Sequence, residues 1–201
     1  MELSQLRKKD IRKVIQFAIT GMHFDWYLSN KFLRNAYGRW FWYLETNRAT
    51  QILAAYEGDT LAGVLLAEIY GEEPQQYFRW KAAYVKLVDW VQRVFFKESA
   101  GLYDAVNLEL FAAYREQFTP DGEIIFLAAN PDIKTKGIGT FLLNELANRK
   151  KGKRVFLYTD NACTYQFYEH RGFDRVGEKN IELKLADKTV PLTCLLYSKV
   201  L

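Results

Sequence analysis

The run Pro131-Asp132-Ile133-Lys134-Thr135-Lys136-Gly137-Ile138-Gly139-Thr140 constrains this chain more than any other stretch, because it sets two glycines and two lysines between a strand and a helix. The strand before it reads as Glu123 to Ala129. The helix after it begins near Gly137 and carries Leu142, Leu143, Leu146 and Ala147 at three- and four-residue spacing. A helix start offers unpaired backbone N–H groups and a partial positive charge to an anion. Glycines at 137 and 139 let the backbone come close to a ligand with no Cβ in the way. Lys134, Thr135, Lys136, Gly137, Ile138, Gly139 and Thr140 therefore read as a phosphate cradle. It matches neither familiar nucleotide loop: G-x-x-x-x-G-K-[ST] is absent, and Leu142 stands where G-x-G-x-x-G needs its third glycine.

A second segment, Asp160-Asn161-Ala162-Cys163-Thr164-Tyr165-Gln166-Phe167-Tyr168-Glu169-His170-Arg171-Gly172-Phe173, follows the apolar strand Val155 to Tyr158. The two segments together resemble the Gcn5-related N-acetyltransferase (GNAT) family. Its loop pattern [QR]-x-x-G-x-[GA] is met at Gly137 and Gly139, with Lys134 as the opening residue. Its helix pattern N-x-x-[AS]-x-x-[FL]-Y-x-x-x-G-F is met at Asn161, Phe167, Tyr168, Gly172 and Phe173, with Thr164 in the small-residue place. A lysine can face phosphate as a point charge without arginine's planar fork.

The resemblance implies an α/β (α+β) fold, with a central mixed, mostly antiparallel sheet flanked by helices. It also implies acetyl-CoA as co-substrate, with the pantetheine arm entering between strands four and five and pairing with the backbone of Leu127, Ala128 and Ala129. An N–H there would polarise the thioester carbonyl. Tyr168 is implied near the departing sulfur, where a phenol can act as general acid; a core tyrosine is the alternative. Asn161 reads as an N-cap, and its pantetheine contact is implied by the resemblance. Some family members place a carboxylate that works through water at the start of strand four, here Glu123; Glu68, Asp25 and Glu45 compete for that role.

The remainder of the chain reads as one domain spanning 1–201. A short strand runs Glu2 to Leu6, and Asp10 caps a helix bearing Ile11, Val14, Ile15, Ala18 and Ile19 up to Gly21. An aromatic helical stretch from Tyr27 to Leu44 follows. Strands Thr50 to Tyr56 and Leu61 to Ile69 are joined by a turn at Glu57-Gly58-Asp59. Residues 72–119 form a helical insertion between strands three and four, with Trp80, Tyr84, Leu87, Val88 and Val91, then Leu102, Val106, Leu110 and Ala113, at helical spacing. Such an insertion serves as a lid, or as a packing element at the sheet edge or at a dimer contact.

The net charge of +4 over 201 residues does not imply a nucleic-acid partner. The run Arg149, Lys150, Lys151, Lys153, Arg154 reads as a solvated helix end or as further phosphate contacts. No apolar run of about 18 residues suggests a membrane span, and the first ten residues lack a signal-like apolar block, which points to the cytoplasm. Two cysteines fit a reducing compartment; Cys163 reads as a buried small side chain. No ligand cluster suggests a metal. His23 reads as a structural histidine, and the aromatic residues, 16% of the chain, concentrate before residue 119, on the acceptor side. The function these features support is N-acyl transfer from acetyl-CoA to the amine of a small molecule or peptide, with a homodimer as one arrangement the insertion would allow. A non-catalytic acyl-CoA sensor is the alternative.

Overall fold

The computed structural model describes residues 1–28, 30–76, 83–86, 100–184 and 189–201. Strand β1 (Glu2–Ser4) leads through a 3-10 turn (Lys8–Asp10) into α1 (Ile11–Gly21), α2 (Phe24–Tyr27) and α3 (Lys31–Arg48). The hairpin β2 (Gln51–Glu57) and β3 (Thr60–Ile69) follows, then α4 (Ala100–Gln117) and β4 (Gly122–Ala129). The chain ends with α5 (Ile138–Arg149), β5 (Arg154–Asp160), the single turn α6 (Gln166–Glu169), and the hairpin β6 (Asp174–Lys184) and β7 (Thr189–Val200). The seven strands among the described residues form one sheet in the order β1-β2-β3-β4-β5-β7-β6. Every pairing is antiparallel except β4 with β5.

Three apolar clusters divide the molecule. On one face, α1 and α3 cover β2 to β4 with Val14, Ala18, Phe41 and Trp42. On that same face α4 covers β5, β7 and β6, setting Val106, Leu110 and Tyr114 against Phe156, Ile181, Leu192 and Leu196. The opposite face belongs to α5, whose Leu142, Leu143 and Leu146 pack on Leu53, Leu65, Val155, Leu157 and Leu195. Each fully buried leucine there contributes about 1.5–3 kcal/mol over its exposed state.

Several expectations need correction. Asp10 does not cap α1; its backbone is already helical, and its buried carboxylate accepts the Tyr56 hydroxyl at 3.0 Å. The aromatic stretch is broken at Leu28, and Asn30 starts α3 by accepting the N–H groups of Phe32 and Leu33 at 2.9 and 3.2 Å. In the insertion the buried stripe is Val106, Leu110 and Tyr114, whereas Leu102 and Ala113 face outward. Thus α4 lies on the sheet's face and not at its edge. Tyr84, in a helical turn at 83–86, leans on α3 through Ala36 and Tyr43; Trp80, Leu87, Val88 and Val91 lie outside the described residues.

Candidate active site

Of the two glycines where the loop meets α5, only Gly137 takes a left-handed backbone. Asn130 fixes the start of the loop: Nδ2 donates to Leu61 O at 2.8 Å, and Oδ1 accepts Asp132 N–H at 3.0 Å. Gly137 takes φ of 85°, a left-handed conformation that glycine adopts without strain, and stands at the N-cap with no side chain capping the helix. The first-turn N–H groups of α5 are therefore left for an anion. Gly63 on β3 brings this helix end close: a Cβ there would sit 2.5 Å from Ile138 and 2.9 Å from the Ala128 carbonyl. Gly139 owes its size to the protein's own packing, since a Cβ would meet the Phe167 ring at 2.9 Å.

Beside this loop the sheet opens. β4 pairs with β5 only at Gly122 with Val155 and Glu123 with Phe156. Beyond them β4 keeps its other neighbour, pairing Leu127, Ala128 and Ala129 with Leu65, Val64 and Gly63. Ile125 is an extra residue between the pairs Leu66–Phe126 and Ala67–Ile124. Such a bulge bends and twists its strand, and it falls where β4 leaves β5. The edge of Leu127 to Ala129 that faces β5 is a row of backbone groups without a strand partner.

Tyr168 packs behind the opening, its ring edge-on to Phe167 and Phe173. Its hydroxyl has no hydrogen-bond partner among the described residues, and burial, reinforced by nearby Cys163, pushes its pKa up. It therefore keeps its proton at neutral pH. The Cys163 thiol is pushed up to about 12 by burial and by Asp160, and it donates to Gly21 O at 3.5 Å; it is no thiolate.

A family model for the acetyltransferase (GNAT) family matches residues 19–173. The chain belongs to that family. Solved structures agree at the level of the fold. An N-acetyltransferase from Staphylococcus aureus Mu50 is 16% identical with a TM-score of 0.58, covering 99% of this chain and 100% of that one. The C-terminal condensation domain of Ebony is 13% identical with a TM-score of 0.60, covering 100% and 98%. An agmatine N-acetyltransferase is 11% identical with a TM-score of 0.59, covering 100% and 99%. No curated protein matches the sequence.

Within this GNAT site Asn161 does not begin a helix, contrary to the capping expectation. It clips the loop to β7, its N–H donating to Thr193 O at 3.1 Å and its Oδ1 accepting Thr193 N–H at 2.9 Å. The local turn belongs to Asp160, whose Oδ1 accepts the N–H groups of Ala162 and Cys163. His23 reaches the same loop, with Nε2 3.3 Å from Ala162 O and its ring stacked on Trp26.

Three of the four carboxylates considered for base catalysis converge on one arginine. Arg48 contacts Glu45 at 2.6 Å, Glu68 at 2.8 Å and Glu123 at 2.6 Å. Glu68 and Glu123 are direct partners across β3 and β4. Burial raises the Glu45 pKa against the opposing pull of Arg48, and the remaining two carboxylates add to the rise. Tyr70 and Tyr158, both shifted up by burial and then by Glu123, flank the group. Sequence spacing gave no sign of this convergence, because Arg48 lies at the far end of a helix from any motif.

The basic residues separate into two sets. Lys150 pairs with Glu72, Lys153 with Asp121, and the Arg154 guanidinium sits over Phe118. That cluster lies at the far end of α5, about 18 Å from Gly137 at 1.5 Å per residue. Lys134 and Lys136 are exposed in the loop and form no ion pair among the described residues. Arg171, not singled out by sequence reasoning, joins them: its Nε donates to Thr140 Oγ1 at 2.8 Å, and its guanidinium sits 5.2 Å from the centre of the Phe167 ring. A cation at the positive end of a helix is electrostatically uncompensated until an anion arrives. Among the described residues no cluster of three or more His, Cys, Asp or Glu could hold a metal, and no helix is long and apolar enough to cross a membrane.

Proposed function

We propose that this GNAT protein transfers the acetyl group of acetyl-CoA directly to an amine of a small-molecule or peptide acceptor, in the cytoplasm and without a nucleic-acid or membrane partner. The observation that carries the reading is the unpaired edge of Leu127 to Ala129 beside the uncapped helix start at Gly137. The loop N–H groups with Lys134, Lys136 and Arg171 suit a pyrophosphate, and the free edge suits the amides of a pantetheine arm.

The remaining chemistry falls to side chains. A β4 N–H polarises the thioester carbonyl as the amine nitrogen attacks its carbon. The C–S bond then breaks, and Tyr168 gives its proton to the departing sulfur. Glu123, held by Arg48 on the face of the sheet that α3 covers, relays the proton lost by the amine through water. Cys163 takes no acyl group, because its thiol stays protonated.

Thermal shift with coenzyme A, followed by free-thiol release across a panel of amines, tests the reading. Stabilisation with release supports it. Stabilisation without release from any acceptor would assign the chain to non-catalytic acyl-CoA binding, and neither response would defeat both.

A further inference from the structure

The inserted helix α4 carries a polar side chain that the fold leaves incomplete. Asn107 is 8% exposed, and its Oδ1 has no hydrogen-bond partner among the described residues. An unsatisfied buried acceptor is costly, so its retention calls for an explanation.

The polarity around it is set by its neighbours. Asp160 only accepts: Oδ1 takes the N–H groups of Ala162 and Cys163 at 2.9 and 3.1 Å, and Oδ2 takes the Tyr103 hydroxyl at 3.3 Å. With its proton committed, the Tyr103 oxygen can only accept. Asn107 stands one turn further along the same helix face, where its side-chain N–H eases the upward shift of Tyr103 that burial causes. The other end of the amide, Oδ1, therefore needs a donor, and a ligand N–H fits where a carbonyl or carboxylate would not. Asp160 is half-buried and has no ion pair among the described residues, while Trp26, Tyr103 and Tyr158 pack around the same cluster. Uncompensated negative charge and aromatic surface both favour a cation. The network also ends on the loop that follows β5, at the mouth of the opening between β4 and β5.

We propose that Asn107 Oδ1 accepts an N–H of the acceptor's ammonium group, making the inserted helix a determinant of acceptor choice. This rests on the acyltransferase reading for its biological sense, although binding alone tests it. The probes are 2-phenylethylamine and its N,N,N-trimethyl analogue, which share a charge but differ in N–H donors, titrated calorimetrically into the coenzyme A-loaded protein.

Wild-type protein should bind the primary amine about tenfold more tightly, the worth of one hydrogen bond to a charged group. Asn107→Leu should abolish that difference while leaving coenzyme A affinity intact. Asn107→Asp, which keeps an acceptor oxygen, should preserve it, and a loss of discrimination in that variant overturns the proposal even if the leucine variant does not fold. The proposal is overturned if the wild type does not discriminate, if neither amine binds, or if Asn107→Leu discriminates as well as wild type. Intact thiol release in any of those cases would leave the acyltransferase reading standing.

Discussion

Glu68 and Glu123 face each other across β3 and β4, and both are bound by the single guanidinium of Arg48. Like charges directly opposite on neighbouring strands repel; the arginine converts that repulsion into a bridge between α3 and the sheet. Arg48→Met should therefore destabilise the fold by about 2 kcal/mol, a buried-pair loss discounted for its partial exposure. The loss should shrink on acidification, as Glu45, raised by burial and freed of the opposing pull of Arg48, takes up a proton. Urea denaturation at neutral and acid pH measures both.

Glu45 has the opposite linkage from an ordinary surface carboxylate. Its folded-state pKa is raised above the unfolded value, so its contribution to stability is full below the unfolded pKa and falls away as pH rises through the folded one. Glu45→Gln removes the titration and should flatten the decline in stability from about pH 4.5 upward. Melting temperatures of both proteins across that range would show an unchanged slope if burial of Glu45 carried no such penalty.

Gly139→Ala should cost about 1–3 kcal/mol, because the new methyl group must displace the Phe167 ring. Pairing it with Phe167→Leu should recover most of that loss. A double-mutant cycle by chemical denaturation reads the coupling; additive costs would mean that the ring moves aside freely.

Arg171→Gln should weaken coenzyme A binding about tenfold and reduce its salt dependence, since the guanidinium on Thr140 is charge available to a phosphate. Pantetheine, which has no pyrophosphate, is the control and should bind as before. Equal losses for both ligands would make Arg171 a structural tie for α6.

Tyr168→Phe should slow turnover with little change in coenzyme A affinity, because the hydroxyl has no other partner among the described residues. Steady-state rates with a slow thiol leaving group would exaggerate the loss if proton donation is its role, whereas an unaltered rate would reduce Tyr168 to packing.

What could be read from the sequence was what is local in it. The strand, the glycine loop and the helix after it lie within a few tens of residues, and their turn chemistry and apolar spacing are set there; so were the β2–β3 turn and the stripe of Val106 and Leu110. The Arg48 cluster was hidden because residues 45, 48, 68 and 123 meet only through sheet register and the placing of α3. Asn161 and Asp10 misled for a related reason: both have the chemistry of a cap, and tertiary partners, Thr193 and Tyr56, claimed them first. The hairpin β6–β7 went unread although Leu192, Cys194 and Leu196 alternate, because Pro191 in β7 and Gly177 in β6 blur the strand signal.

Two residue pairs are all that stitch β4 to β5, while each half-sheet has its own helical cover on one face. The piece that spans both halves on the other face is α5, whose leucines touch Leu53 and Leu65 on one side of the seam and Val155 and Leu157 on the other. The helix that presents its first turn to an anion is thus also the clasp of a seam. Whatever loads the loop pulls on the clasp, so hydrogen exchange along β4 and β5 should slow together when the loop is occupied, far beyond the residues in contact.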